Sequence, residues 1–333
     1  MTTVHDEPQP DRELALELVR ATEVAALAGG RWMGRNEKEE GDGAAVEAMR
    51  KMLATAHIDG TVIIGEGEKD EAPMLYNGER VGTGSPPAVD IAVDPVEGTR
   101  LLAEGRHGAT SLIAAAPRGT MFDPGPMVYM LKWIVGPDAA GAIDVDAPVA
   151  ENLRQLAQTT GKSVSDLTIV MLDRPRHAEL MDAVRAAGAR LRLIMDGDSP
   201  AGLLAAMPEY PYDALVGIGG TPEGVATACA VRALRGGMIG RLWARNDEER
   251  ARARELGYEL DEPLTLERLV ASQNTFFIIT GVTSGDLVEG VNYGPRGATT
   301  ESLVMRGTSG TVRWIKARHT PEKLADYRAD AGA

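Results

Sequence analysis

At 333 residues the chain is too long for one small core and fits one large α/β unit or two closely packed halves. Its 44% hydrophobic and 25% charged content is that of a folded protein and excludes extensive disorder. With 35 basic against 49 acidic side chains, a formal charge of -14, most of the surface repels nucleic acid and anionic membranes, and neither is expected as a partner.

Residues 1–10, with Pro8 and Pro10, read as a lead-in. Leu14, Leu18, Ala21, Ala25 and Ala28 then recur with helical spacing, and Asp11 and Glu13 suit a first turn. A polar, glycine-containing stretch over 34–43 reads as a loop, followed by a helix over 43–55 that carries Val46, Met49 and Leu53 on one side. Residues 61–64 form a short strand that runs into Glu66, Glu68, Asp70 and Glu71. Residues 88–94 alternate Val89, Ile91 and Val93 against Asp90, Ala92 and Asp94, a strand of period two. Further strand signals lie at 111–115 and 127–135.

Near residues 147–152 the texture changes to longer alternation of strands (167–172, 191–195, the run before Gly217, 276–280) and helices (177–187 among them). That rhythm predicts a mostly parallel sheet in the second part. The expected organisation is an N-terminal α+β half over 11–146 and a C-terminal α/β half over 147–333, sharing a cleft. Cys229 is the only cysteine, so an intrachain disulfide and a thiolate metal cluster are excluded, and its small-residue helical surroundings make it a buried helix position. No basic segment precedes an apolar run at the N-terminus, and a cytoplasmic protein is expected.

Several strand signals end in acidic, glycine-rich loops: Glu66 to Glu71, Asp94 to Thr99, Asp196-Gly-Asp198, and Gly219-Gly-Thr-Pro-Glu-Gly224. Ligands of open α/β sheets sit beyond the carboxyl ends of strands, and carboxylates gathered there need cations between them. An all-oxygen donor set without cysteine favours Mg²⁺ or Mn²⁺ over zinc. The densest element is Asp94-Pro-Val-Glu-Gly-Thr99. It combines two carboxylates, a glycine that permits close backbone approach, and a hydroxyl at the expected start of a helix over 100–104. Asp42 can cap the 43–55 helix, Tyr129 can be a half-buried strand residue, and Asp90 supports either a ligand or the fold. Thr160-Gly-Lys-Ser163 fails the P-loop pattern and Gly217-Ile-Gly-Gly-Thr-Pro222 fails the dinucleotide pattern; Gly161 is a helix terminator instead.

Asp94-Pro-Val-Glu-Gly-Thr99 resembles the signature of the lithium-sensitive phosphatase superfamily, which includes inositol monophosphatases and fructose bisphosphatases. Asp42-Gly-Ala-Ala-Val46, Ile64-Gly-Glu-Gly-Glu68, Asp70-Glu-Ala-Pro-Met-Leu75, Pro175-Arg-His177, Asp196-Gly-Asp198, Gly217-Ile-Gly-Gly220 and Pro222-Glu-Gly224 narrow the resemblance to class II bacterial fructose-1,6-bisphosphatases, over residues 11 to 318. The resemblance implies a layered αβαβα sugar-phosphatase fold, a homo-oligomer (dimer or tetramer), and metal-dependent hydrolysis of fructose 1,6-bisphosphate in gluconeogenesis. It implies Asp42, Glu66, Asp94, Glu97 and Glu223 as metal ligands, and Glu97, Gly98 and Thr99 at the scissile phosphate. It further implies Tyr129, Arg174, Pro175, Arg176, Asp196, Gly197, Asp198 and Gly220 as substrate contacts, where Arg174 stands in place of a frequent lysine. The metal site thereby falls mainly to the first half, and the sugar and distal-phosphate contacts to the second. For catalysis, Thr99 orients the attacking water, Asp70 accepts its proton and Lys38 pairs with Asp70. Hydrolysis of sedoheptulose 1,7-bisphosphate or inositol monophosphate, and a non-catalytic sugar-phosphate sensor, stand as the alternatives.

Overall fold

A computed structural model describes residues 13–67 and 74–326. In chain order the elements are α1 (Leu14–Gly29), α2 (Lys38–Leu53), β1 (Asp59–Ile64), β2 (Arg80–Val81), β3 (Ala88–Glu97), α3 (Thr99–Ala103) and β4 (Thr110–Pro117). Next come β5 (Tyr129–Val135), α4 (Val149–Thr160), β6 (Thr168–Leu172), α5 (Ala178–Ala186), β7 (Arg190–Ile194), α6 (Asp198–Ala206), β8 (Ala214–Gly220) and α7 (Thr221–Leu234). The chain continues through β9 (Gly237–Trp243), α8 (Asp247–Glu255), β10 (Leu264–Thr265) and α9 (Leu266–Leu269). It closes with β11 (Phe276–Gly281), β12 (Asn292–Gly294), β13 (Gly297–Arg306), β14 (Thr311–His319) and α10 (Pro321–Asp326). Among the described residues no helix is long and apolar enough to cross a membrane.

The chain divides into two compact units, Met1–Met121 with Ser272–Ala333, and Phe122–Ala271. This division differs from the expected single boundary at 146/147. The reason is strand pairing that local texture does not reveal. β11 lies antiparallel to β4, with Phe276 opposite Ala115, and so returns the chain to the first sheet. β5 pairs instead with β8 and β9 and opens the second.

The first unit holds an 8-stranded mixed sheet in the order β12-β13-β11-β4-β3-β1-β2, with β14 outside β13. Consecutive Phe276 and Phe277 are both 0% exposed, so both faces of this sheet are covered. α1 packs on β11, β13 and β4, while α2 packs on α1 and β3. Truncating either phenylalanine to alanine would cost about 3–5 kcal/mol. The period-two reading of β3 holds for backbone direction and fails for burial. Its central position, between β1 and β4, buries Asp90 as thoroughly as Ile91. Asp90 supports the fold: its Oδ2 accepts hydrogen bonds from the Thr120 and Met121 N–H groups and closes the turn after β4.

The second unit holds a 6-stranded sheet in the order β10-β9-β5-β8-β6-β7. Only the β6–β7 and β6–β8 pairs are parallel, because β5 and β9 join the sheet antiparallel. The expected mostly parallel sheet is therefore a mixed one. Its core gathers Trp133, Leu153, Leu156, Ile169, Met171, Val184 and Val216. Gly161 ends α4 in the left-handed region (φ 69°), and Cys229 is buried within α7, both as expected.

Candidate active site

In the first unit the expected ligands stand on three elements. Asp42 is not the cap of a helix that begins at 43. α2 begins at Lys38, which puts Asp42 in the second turn, four residues from Lys38 and on its face. Acidic Glu39 and Glu40 in the first turn suit the positive end of the helix, and Ala45, Val46, Met49 and Leu53 bury its inner face, so this polar stretch is helical despite two glycines. Burial, reinforced by Glu39 and opposed by Lys38, pushes the Asp42 carboxyl up to about 6.

Glu66 follows β1 and is half-buried. Its N–H donates to Leu75 O at 2.9 Å, and the Asn77 N–H donates to Gly67 O at 2.9 Å, so residues 66–67 and 75–77 are clasped together. Glu79, itself 5% exposed, takes Arg50 Nε at 2.6 Å and accepts from the Leu75 N–H, which ties Leu75 to α2. Asp70, expected to accept the proton of the attacking water, lies outside the described residues together with Glu68 and Glu71.

β3 positions the remaining pair by an irregularity. Asp94 lies opposite Leu112 and Glu97 opposite Thr110, with a register shift between them. Three steps on one strand thus match two on its partner, a bulge with one extra residue. In a regular strand residues three apart face opposite ways. Here Asp94 and Glu97 share the face of Leu112 and Thr110. Glu97 is buried, Gly98 follows in the left-handed region (φ 84°), and Thr99 is the first residue of the short helix α3.

In the second unit, Tyr129 opens β5 directly opposite Gly220 and Trp243, and its ring meets Trp243 edge-on at 6.1 Å. Arg176 lies over the Tyr129 ring at 5.1 Å, and its Nε and Nη2 both donate to Ile218 O, at 3.0 and 2.7 Å. Part of its donor fork is therefore spent on the backbone. Arg174, on the other side of Pro175, reaches Asp196 Oδ1 at 3.6 Å. His177 is fully buried. Its Nδ1–H donates to Leu172 O at 2.7 Å and its Nε2 accepts from the Ile218 N–H at 2.8 Å, while burial holds its pKa down. This neutral imidazole stitches the Arg174–Arg176 turn to β8, a supporting role.

Gly197 precedes α6 and Asp198 begins it. A Cβ on Gly219 would lie 1.9 Å from Asp198 Oδ2, and one on Gly220 would lie 1.7 Å from Glu223 Oε2. Only glycine at these two positions lets both carboxylates close against the end of β8. Glu223 Oε2 is shut from solvent without a hydrogen-bond donor. Burial first, then Asp198, pushes the Glu223 carboxyl up, against the field of Lys132.

Two basic side chains in this unit were not anticipated. Lys132 is 1% exposed and pairs with Asp198 at 2.8 Å. A lysine within the apolar run Tyr129-Met-Leu-Lys-Trp-Ile-Val135 was the available sequence signal. Arg245 lies 5.7 Å from the Tyr129 ring centre and pairs with Glu249; no motif marked it.

Among the described residues no three histidine, cysteine or acidic side chains are gathered into a group that could hold a metal ion. The donor chemistry nevertheless fits a hard divalent cation. The proposed ligands are all carboxylates, and Asp42 and Glu223 both carry a burial penalty that a nearby cation would relieve.

The family model for bacterial fructose-1,6-bisphosphatase, glpX-encoded, matches residues 12–319. The chain is 48% identical over 321 residues to fructose-1,6-bisphosphatase 1 class 2 of Escherichia coli (strain K12), covering 92% of this chain and 95% of that relative. The same identity and coverage hold for fructose-1,6-bisphosphatase class 2 of Shigella flexneri. With the bulged Asp94–Thr99 segment and the carboxylates that close against the glycines of β8, these matches make the chain a member of the class II bacterial fructose-1,6-bisphosphatase family.

Proposed function

We propose that this chain is a phosphoric monoester hydrolase that converts fructose 1,6-bisphosphate to fructose 6-phosphate and phosphate, a step of gluconeogenesis. The observation that carries the reading is family membership over nearly the whole chain, joined to the β3 bulge that turns Asp94 and Glu97 to one face just before Thr99 in sequence. Asp42, Glu66, Asp94, Glu97 and Glu223 are the side chains that would hold Mg²⁺ or Mn²⁺. A divalent cation supplies Lewis-acid neutralisation of the phosphoryl oxygens and makes water a stronger acid.

The chain's own groups do the rest. Glu97, Gly98 and Thr99 hold the scissile phosphate. The Thr99 hydroxyl orients the attacking water, and Asp70 takes its proton. Lys38 pairs with Asp70, and its field acts on Asp42, where it favours the charged carboxylate. Arg174 and the donors that Arg176 keeps beyond Ile218 bind the distal phosphate by charge-assisted hydrogen bonds. Pro175 fixes the turn between the two arginines. Tyr129, Asp196, Gly197, Asp198 and Gly220 line the sugar, with the two aspartates accepting from its hydroxyls. The resemblance further supports a cytoplasmic homo-oligomer, a dimer or tetramer.

The test is phosphate release from a panel of sugar mono- and bisphosphates, each with Mg²⁺, Mn²⁺ or chelator. Turnover of fructose 1,6-bisphosphate that needs a divalent cation is the expected result. Binding of that substrate without phosphate release in either metal would overturn it.

A further inference from the structure

The most demanding electrostatic feature of the second unit is a lysine in the middle of an apolar strand. Lys132 is 1% exposed, between Leu131 and Trp133 on β5. An ammonium taken out of water persists only where carboxylates and carbonyls replace its hydration. Lys132 has both: Nζ stands 2.8 Å from Asp198 Oδ2 and donates to Gly220 O at 3.1 Å. The approach is possible because residue 219 has no side chain; a Cβ there would lie 1.9 Å from Asp198 Oδ2 and 3.1 Å from Lys132 Nζ. A single cation thus ties β5 to the first residue of α6 and to the last residue of β8.

Stability alone does not account for this pair, since well-packed apolar side chains in place of a buried ion pair are commonly as stabilising or more so. What the pair does provide is direction. The carboxylate of Asp198 has two oxygens; Oδ2, 2.8 Å from Lys132 Nζ, is closed to solvent and meets the lysine's charge rather than a directed hydrogen bond. We propose that Lys132 is a positioning residue for the sugar: by drawing Asp198 Oδ2 inward it leaves Oδ1 to accept from a substrate hydroxyl. The inference rests on the reading of Asp198 as a sugar contact. A neutral residue at 132 leaves Asp198 without the partner that sets its rotamer, so binding suffers even where the chain folds.

Steady-state kinetics on fructose 1,6-bisphosphate at saturating metal test this with Lys132→Met, Asp198→Asn and the double variant, beside the thermal midpoint of each. Lys132→Met is expected to raise KM about tenfold or more with kcat changed much less, and to add nothing to KM once Asp198 is Asn. The double variant, in which neither charge is buried alone, should melt above Lys132→Met, and it carries the kinetic test if the single variant does not fold. A lowered melting point with unchanged KM in Lys132→Met, or a further tenfold KM penalty in the Asp198→Asn background, overturns the inference. An unchanged KM in Asp198→Asn removes the sugar contact itself and the inference with it. A raised KM there beside an unchanged KM in Lys132→Met refutes the lysine's part alone.

Discussion

The acidic residues of the proposed site are treated differently in the two units. In the second, Asp198 and Asp196 have cations supplied by the chain, Lys132 at 2.8 Å and Arg174 at 3.6 Å. In the first, Asp42 is pushed up to about 6 by burial and Glu39, even with Lys38 four residues away. An acid already balanced by its own protein is suited to accept from hydroxyls of a neutral sugar ring. An acid that carries an uncompensated burial penalty is suited to a cation from outside. Glu223 refines the contrast. It belongs to the second unit and feels Lys132, yet its carboxyl is also held up, which groups it with Asp42. That grouping follows the division between proposed metal ligands and proposed sugar contacts.

The contrast breaks most sharply at the chemistry. Thr99→Ala should lower kcat by about 10²-fold or more while the melting profile stays intact, because the hydroxyl orients water and the side chain is only half-buried. Near-normal turnover would remove Thr99 from the reaction. Asp42→Asn should act on the cation. A carboxyl whose pKa rises from 3.8 to about 6 binds its proton more tightly when folded, so its contribution to stability is present below 3.8 and lost as pH rises through about 6. At neutral pH the neutral amide removes that penalty. The cation-free variant should melt no lower than the parent, while the Mg²⁺ or Mn²⁺ needed for half-maximal stabilisation rises about tenfold or more. A variant that melts well below the parent and titrates with metal as the parent does would assign Asp42 to the fold instead.

Much of the fold was legible because its cues are local. The apolar spacing of α1, the strands 61–64, 167–172 and 276–280, and the glycine that stops α4 all act within a few residues. The start of α2 was hidden, since two glycines and an acidic run imitate a loop until tertiary packing of Val46, Met49 and Leu53 decides for helix. Sheet membership was hidden too. Phe276 pairs with Ala115, a partner that no local pattern names. For the site, the residue types were readable and their orientation was not. Nothing in Asp94-Pro-Val-Glu97 announces that a bulge turns two carboxylates to one face, or that Arg176 spends two donors on Ile218 O.

A smaller effect sharpens the contrast on the side of the second unit. Arg174→Ala should raise KM for fructose 1,6-bisphosphate about tenfold and leave hydrolysis of a sugar monophosphate nearly unchanged, as expected of a residue that binds only the second phosphate. Equal losses on both substrates would move Arg174 to the turn's architecture, through its contact with Asp196.

The smallest effect concerns the first unit's own buried base. His319 ends β14, is 2% exposed, and sits with Nε2 2.8 Å from Thr300 Oγ1 and Nδ1 3.5 Å from Lys323 Nζ. Burial, then the charge of Lys323, lowers its pKa to about 4. Buried Glu23 lies in the same cluster, with its carboxyl held up by burial. A histidine whose folded pKa is depressed favours the native state fully above its unfolded value near 6.5. It withdraws that support as pH falls towards 4, because the unfolded chain takes up the proton first. Glu23 has the opposite sign, so the overall stability profile mixes the two. Comparison with His319→Gln, which keeps a hydrogen-bonding group near Thr300 but cannot titrate, isolates the histidine. The thermal midpoint of the parent relative to this variant should fall by about 2–4 °C between pH 6.5 and 4.5. A difference that stays constant with pH would mean that His319 takes up its proton equally in both states, and that burial here carries no titration cost.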